Sequence, residues 1–184
     1  MKKQSEAILD LHVMVQQIDW DSAYESELPR IYNFFLYKLG DREHAQDLTA
    51  TTLERAWKLR SRYHPARAAI STWLFGIARN VLKEHLRKNR VSRQRLQDIA
   101  PLEEMPAEVD IEKIYQHQQE KERLRRILLE LPAREQDLIA LKYGAGLTNR
   151  EIAQVVSMSE SNVGSVLHRI VNKVRTRLED KDGR

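Results

Sequence analysis

The chain has 184 residues, with 31 Lys and Arg against 27 Asp and Glu and a formal net charge of +4. That length holds one ordinary domain or two small ones, and with 32% of residues charged the placement of charge says more than its sum. There is no cysteine, which excludes disulfides, thiolate zinc sites, cysteine nucleophiles and direct thiol sensing.

Residues 1–20 interrupt their apolar positions with Glu6, Asp10, His12, Gln16 and Gln17, so they do not read as a signal peptide. Ala7, Ile8, Leu11, Met14 and Val15 predict a short helix packed on the first domain. No apolar run approaches the roughly 20 residues needed to cross a bilayer. A soluble, cytoplasmic protein with no membrane partner is expected.

Apolar residues recur three or four apart through nearly the whole chain, and no stretch alternates convincingly, so the expected fold is all-α. From Asp21 to Leu39 the helical pattern runs through Leu28, Ile31, Tyr32, Phe35 and Leu39, with Gly40 placed to end it and Asp41 to cap the next helix. That helix, near Arg42 to Arg60, carries Ala45, Leu48, Thr52, Ala56 and Leu59. Pro65 then marks a loop, and Ser71 or Thr72 offers a new cap.

The next helix reads STWLFGIARNVLKEHLRKNR. Leu74, Ile77, Ala78, Val81 and Leu82 face a core. Trp73, Gly76, Asn80, Lys83, Arg87 and Arg90 fall on another face: an aromatic ring, an amide and a row of cations. Single-stranded nucleic acid suits that set, because a ring stacks on an unpaired base, an amide reads its edge and cations hold the backbone. The alternative is a core tryptophan beside a solvated basic face.

Residues 79–95 hold seven Lys or Arg against Glu84, whereas residues 98–112 hold six acids and no base, with Pro101 and Pro106 among them. Such a change predicts an extended acidic linker between two small helical domains. Its flexibility would leave their separation in solution undefined. The organisation expected is an extension over 1–20, a first domain over 21–91, a linker over 92–112 and a second domain over 113–184.

In the second domain, Pro132 opens a helix that Gly144 closes. Thr148 and Glu151 form a capping box ahead of Ile152, Ala153 and Val156. After a turn at Ser157 and Met158, Ser159 caps a longer helix with Val163, Val166, Leu167, Ile170 and Val174 on one stripe. Two helices joined by a tight turn predict a helix-turn-helix over about 148–171. Glu160, Ser161, Asn162 and Ser165 would reach base edges, and His168, Arg169, Lys173, Arg175 and Arg177 phosphates.

Two separated stretches resemble one family. ELPRIYNFFLYKLGDREHAQDLTATTLERAW with STWLFGIARNVLKEHLR, and LPAREQDLIALKYGAGLTNREIAQVVSMSESNVGSVLHR, are similar in order and spacing to bacterial RNA polymerase sigma factors of the extracytoplasmic-function (ECF) group, which keep only the region-two and region-four domains. The resemblance implies a factor that directs core RNA polymerase to promoters and promotes melting. It places polymerase contacts, with the clamp helices of the largest subunit, at Asp47, Leu48, Thr52, Glu54, Arg55 and Trp57, although Leu48 and Trp57 would also suit a core. It assigns capture of a flipped base of the melted minus-ten element to the loop with His64 and Arg67 and to Trp73 and Asn80, backed by Lys83 and Arg87. Duplex reading of the minus-thirty-five element falls to the helix-turn-helix, including Ser159, Ser165, His168, Arg169 and Lys173.

Gly164 and Val166 depart from the family's frequent Lys or Arg, which puts the usual minus-thirty-five consensus in question and suggests close backbone approach to DNA at Gly164. An anti-sigma factor is a further partner that the resemblance implies. A conventional helix-turn-helix regulator would explain only the second stretch. No enzyme, cofactor or metal is expected, since the six His show no ligand spacing and no glycine-rich phosphate loop is present.

Overall fold

The computed structural model describes residues 18–89, 120 and 122–179, and all regular structure among them is helical. The expected N-terminal helix, the linker and the start of the second domain at 113 lie outside the described residues. The first module comprises α1 (Trp20–Leu39), α2 (Arg42–Leu59), a 3-10 turn (Arg60–Arg62) and α3 (Ile70–Lys88). The second comprises helical residues 122–129 (α4), α5 (Ala133–Ile139) running on into a π-helical turn (Ala140–Gly144), α6 (Asn149–Val156) and α7 (Glu160–Glu179).

Local chemistry explains most boundaries. Asp19 starts α1 by accepting from Ser22 N (3.1 Å), and its carboxyl lies below the usual range because Ser22 donates through both hydroxyl and backbone. Gly40 ends the helix at φ 67°, a left-handed cap that glycine adopts without penalty. Asp41 caps α2 through His44 N (2.7 Å), and Thr148 and Glu151 form the reciprocal box at α6. Ser159 accepts from Asn162 N (3.2 Å) at the head of α7.

The first module packs around Phe34, Phe35 and Phe75, with Phe34 edge-on to Phe75 at 5.8 Å and 87°. Ala45, Leu48, Thr52 and Ala56 supply the buried stripe of α2, as the pattern predicts. Along α1 the pattern is off by one position: Leu28 is 46% exposed, whereas Phe34 is fully buried. Both Phe34 and Phe35 turn inward because α2 and α3 pack on two sides of α1.

Among the described residues the two modules are in contact. The π-helical turn lies on α1 and α6 lies on α3, and one continuous cluster of buried apolar side chains runs through both modules. Ser71 and Thr72 do not cap α3: its N-cap is Ala69, which supplies no side-chain bond. Both hydroxyls are buried and donate across the boundary, Ser71 to Glu151 Oε1 (3.0 Å) and Thr72 to Gln154 Oε1 (3.1 Å). A buried donor with a partner on the facing helix has no reason to turn back to its own backbone.

Candidate nucleic-acid interface

On α3 the buried side is Leu74, Ile77, Ala78, Val81 and Leu82, while Asn80, Lys83 and Arg87 are exposed. Trp73 is half-buried. Between Trp73 and Asn80, a Cβ added at Gly76 would meet nothing within 4 Å, so the surface there is open.

Trp73 belongs to an aromatic cluster. Its ring lies 5.2 Å from Tyr63 and 6.0 Å from Trp20; Trp20 also contacts Tyr63 (5.8 Å) and Tyr24 (6.0 Å), and Tyr24 reaches Trp57 (6.4 Å). These are edge and tilted contacts in the favourable range for aromatic pairs. Tyr63 Oη donates to the Ala68 carbonyl (3.0 Å) and Arg67 N to the His64 carbonyl (2.9 Å), closing the loop between α2 and α3 on itself. Burial raises the Tyr63 and Tyr24 hydroxyl pKa values above the ordinary range. Arg67 is exposed on this loop and His64 half-buried, its buried Nδ1 finding no partner among the described residues.

In the second module, Ser159, Glu160, Ser161, Asn162, Ser165, His168, Arg169 and Lys173 are all exposed along α7, while Val163, Leu167 and Ile170 are buried. Ser165 Oγ donates to the Ser161 carbonyl (3.0 Å), His168 is bonded to Asn172 (3.0 Å), and Lys173 pairs with Glu135 (3.5 Å). Gly164 and Val166 are half-buried: a Cβ at Gly164 would sit 3.4 Å from Asn149 Nδ2, an ordinary contact, and Val166 packs against the core.

The α2 residues split. Asp47, Glu54 and Trp57 are exposed, Trp57 by 47% and with the Arg60 guanidinium 4.0 Å above its ring. Leu48 and Thr52 are corrected to core positions: both are buried, and Thr52 Oγ1 donates to the Leu48 carbonyl (2.7 Å). Arg55 forms a bidentate pair with Glu84 of α3 (2.8 and 2.6 Å), which holds the Glu84 carboxyl below the usual range. Glu54 is paired with Lys58.

Family models for Sigma-70 region 2 and Sigma-70, region 4 match residues 23–91 and 121–174. The chain is 31% identical over 149 residues to the ECF RNA polymerase sigma factor RpoE of Cereibacter sphaeroides, covering 78% of each protein. This chain belongs to the ECF group of the sigma-70 family. It is also 26% identical over 166 residues to the ECF sigma factor SigX of Bacillus subtilis, covering 85% of this chain and 81% of SigX.

Two solved structures share the fold of this ECF sigma factor. One is the sigma factor RpoE in complex with the anti-sigma factor NepR from Bartonella quintana (TM-score 0.65, 19% identity, 88% and 97% of the two chains). The other is CnrH in complex with the cytosolic domain of CnrY (TM-score 0.57, 18% identity, 96% and 94%). Sigma factors are generally non-enzymatic initiation factors. Among the described residues, no group of three or more His, Asp or Glu is placed to hold a metal, and no helix is long and apolar enough to cross a membrane.

Trp20 lies outside the matched region and escapes a reading by motif. The signal available was a tryptophan directly after a capping aspartate, at the head of an amphipathic helix.

Proposed function

We propose that this sigma factor directs core RNA polymerase to its promoters in the cytoplasm, captures an unpaired minus-ten base between the loop 63–69 and α3, and reads the minus-thirty-five duplex with α7. The observation that carries this reading is the open surface at Gly76, walled by Trp73 on one side and Asn80 on the other, with Lys83 and Arg87 continuing the same exposed face. A base entering there stacks on an aromatic wall and meets an amide, and its backbone runs toward cations. His64 Nδ1 beneath the loop is a polar atom that an incoming base edge or a local rearrangement would satisfy.

Polymerase docks on α2 through Asp47, Glu54 and Trp57, with Arg55 acting through its tie to Glu84 rather than as a free cation. Sequence reading falls to Ser161, Asn162, Ser165, His168 and Arg169, all exposed on α7. An anti-sigma factor is proposed as a further partner, by analogy with the two solved complexes.

Run-off transcription with core polymerase on genomic fragments tests the whole reading. Asn80→Ala should leave core binding intact and lower open-complex formation by roughly tenfold, the effect of about 1.4 kcal/mol. Permanganate reactivity of unpaired thymines reports it, and unchanged reactivity would remove Asn80 from the site.

Arg169→Ala should cost about 1 to 3 kcal/mol if the guanidinium reads a base, selectively at promoters carrying that base. A phosphate contact instead weakens all sequences alike and flattens the salt dependence. Wild-type output from several promoters at two salt concentrations would exclude both roles.

A further inference from the structure

The outer row of α7 is partly bonded to itself. Ser161, Ser165, His168 and Asn172 are all exposed and follow one another at steps of four, three and four residues, so they stand in line along the helix. Hydrogen bonds join them in pairs. The Ser165 hydroxyl donates to the Ser161 carbonyl (3.0 Å), and Asn172 Nδ2 lies 3.0 Å from His168 Nε2. Each bond removes a donor or an acceptor from what the row can offer a ligand.

A serine hydroxyl has one hydrogen and two lone pairs. With that hydrogen held by the Ser161 carbonyl, the back-bond common to helical serines, Ser165 faces outward as an acceptor alone. An amide nitrogen can only donate, so His168 Nε2 is the acceptor of the Asn172 bond, and a neutral ring then carries its proton on Nδ1. His168 therefore offers a donor. Asn172 is what makes it one.

We propose that this row fixes the class of base edge that α7 takes: at Ser165 a base with an exocyclic amine, adenine or cytosine, and at His168 a purine, through N7, with Asn172 as the positioning residue. The inference rests on the reading of the minus-thirty-five duplex by α7 proposed above. In the major groove adenine N6 and cytosine N4 donate, whereas guanine and thymine offer acceptors only, so a serine reduced to an acceptor finds no partner on either. A ring donor in turn finds none on cytosine. On thymine the C5-methyl group stands beside the O4 acceptor and crowds a planar ring, which leaves the N7 that adenine and guanine share.

Spacing along α7 supports a joint reading. Ser165 and His168 differ by about 4.5 Å in height along the helix, against about 3.4 Å between base pairs, so they address the same or neighbouring pairs. Asn172 lies about 18 Å from the head of α7, beyond the N-terminal residues with which a recognition helix touches bases, and so acts through His168. Lys173 beside it is drawn to Glu135 (3.5 Å) and does not compete for the row.

The test is holoenzyme affinity for a promoter found by run-off transcription, with single base analogues placed through its minus-thirty-five element. Replacing adenine or cytosine by an analogue without the exocyclic amine should weaken wild-type binding about fivefold at one position, the effect of roughly one hydrogen bond, and leave Ser165→Ala unaffected there. A 7-deazapurine at the same or the next pair should cost the wild type about fivefold, His168→Ala nothing and Asn172→Ala less than about twofold. Asn172→Gln, which keeps an amide within reach, should restore the sensitivity. The tautomer is read without DNA: at about pH 8, where an ordinary imidazole is neutral, nitrogen NMR of the free chain should place the His168 proton on Nδ1, and Asn172→Ala should spread it over both nitrogens.

A wild-type proton on Nε2, equal sensitivity of wild type and Ser165→Ala to loss of the amine, or sensitivity to 7-deazapurines that Asn172→Ala leaves intact would each overturn the assignment. If no natural base change in the element alters wild-type binding, duplex reading by α7 fails and the base classes fall with it, while the NMR measurement still judges Asn172.

Discussion

Trp20→Ala should lower open-complex formation about a hundredfold while core binding changes little. Trp20 braces the loop 63–69, proposed above to capture the base, against α3: it contacts Tyr63 and Trp73 directly and ties them to Tyr24 of its own helix. Tyr63 in turn holds the loop shut through its bond to the Ala68 carbonyl. Truncating a fully packed aromatic costs about 3 to 5 kcal/mol, and Trp20 is half-buried, so the lower end applies.

That loss is local to the wall of the site. The main core around Phe34, Phe35 and Phe75 does not depend on it. Trp20→Phe, which keeps a ring at the same place, should restore most of the activity, whereas a general folding defect would lower core binding in step with melting. Permanganate footprints and core affinity measured on both variants separate these cases. Equal footprints for wild type and Trp20→Ala would dismiss the brace.

What could be read from the sequence is what local interactions determine. The caps at Asp41, Thr148 and Ser159, the stop at Gly40 and the buried stripes of α2, α3 and α7 each depend on residues within a turn or two. The exposed row Asn80, Lys83 and Arg87 follows from the same helical period. Local pattern loses its hold where a residue's environment comes from far along the chain.

Ser71 and Thr72 look like caps until α6, some 80 residues on, supplies their acceptors. Thr52 lies on the stripe that the helical period of α2 marks as buried, and only the family resemblance made it a polymerase contact. Trp20 meets Tyr63 and Trp73 only through the tertiary fold. The domain boundary read from the shift in charge is a statement about sequence, and it carried no information on Lys38, Arg79 and Asp137 meeting across it.

The free sigma factor should bind promoter DNA weakly, and core polymerase should raise its affinity by about 10² to 10⁴ without any new base contact, the gain expected when two linked sites engage together. Each module presents one small DNA-facing surface, and single modules sit at the weak end of specific binding. The exposed faces of α3 and α7 belong to separate modules, and a chain gains from having two only when they are held at the span of one promoter. An open, flexible chain would gain a little; a chain held open at the right span gains most.

The proposed docking of Asp47, Glu54 and Trp57 on polymerase, with the second module anchored elsewhere, would supply that span. The enzyme then contributes by fixing geometry. Anisotropy on a duplex with both elements, with and without core enzyme at one stated salt concentration, measures the difference. Nanomolar, sequence-specific duplex binding by the free wild-type chain would contradict this and return the protein to the behaviour of a conventional helix-turn-helix regulator.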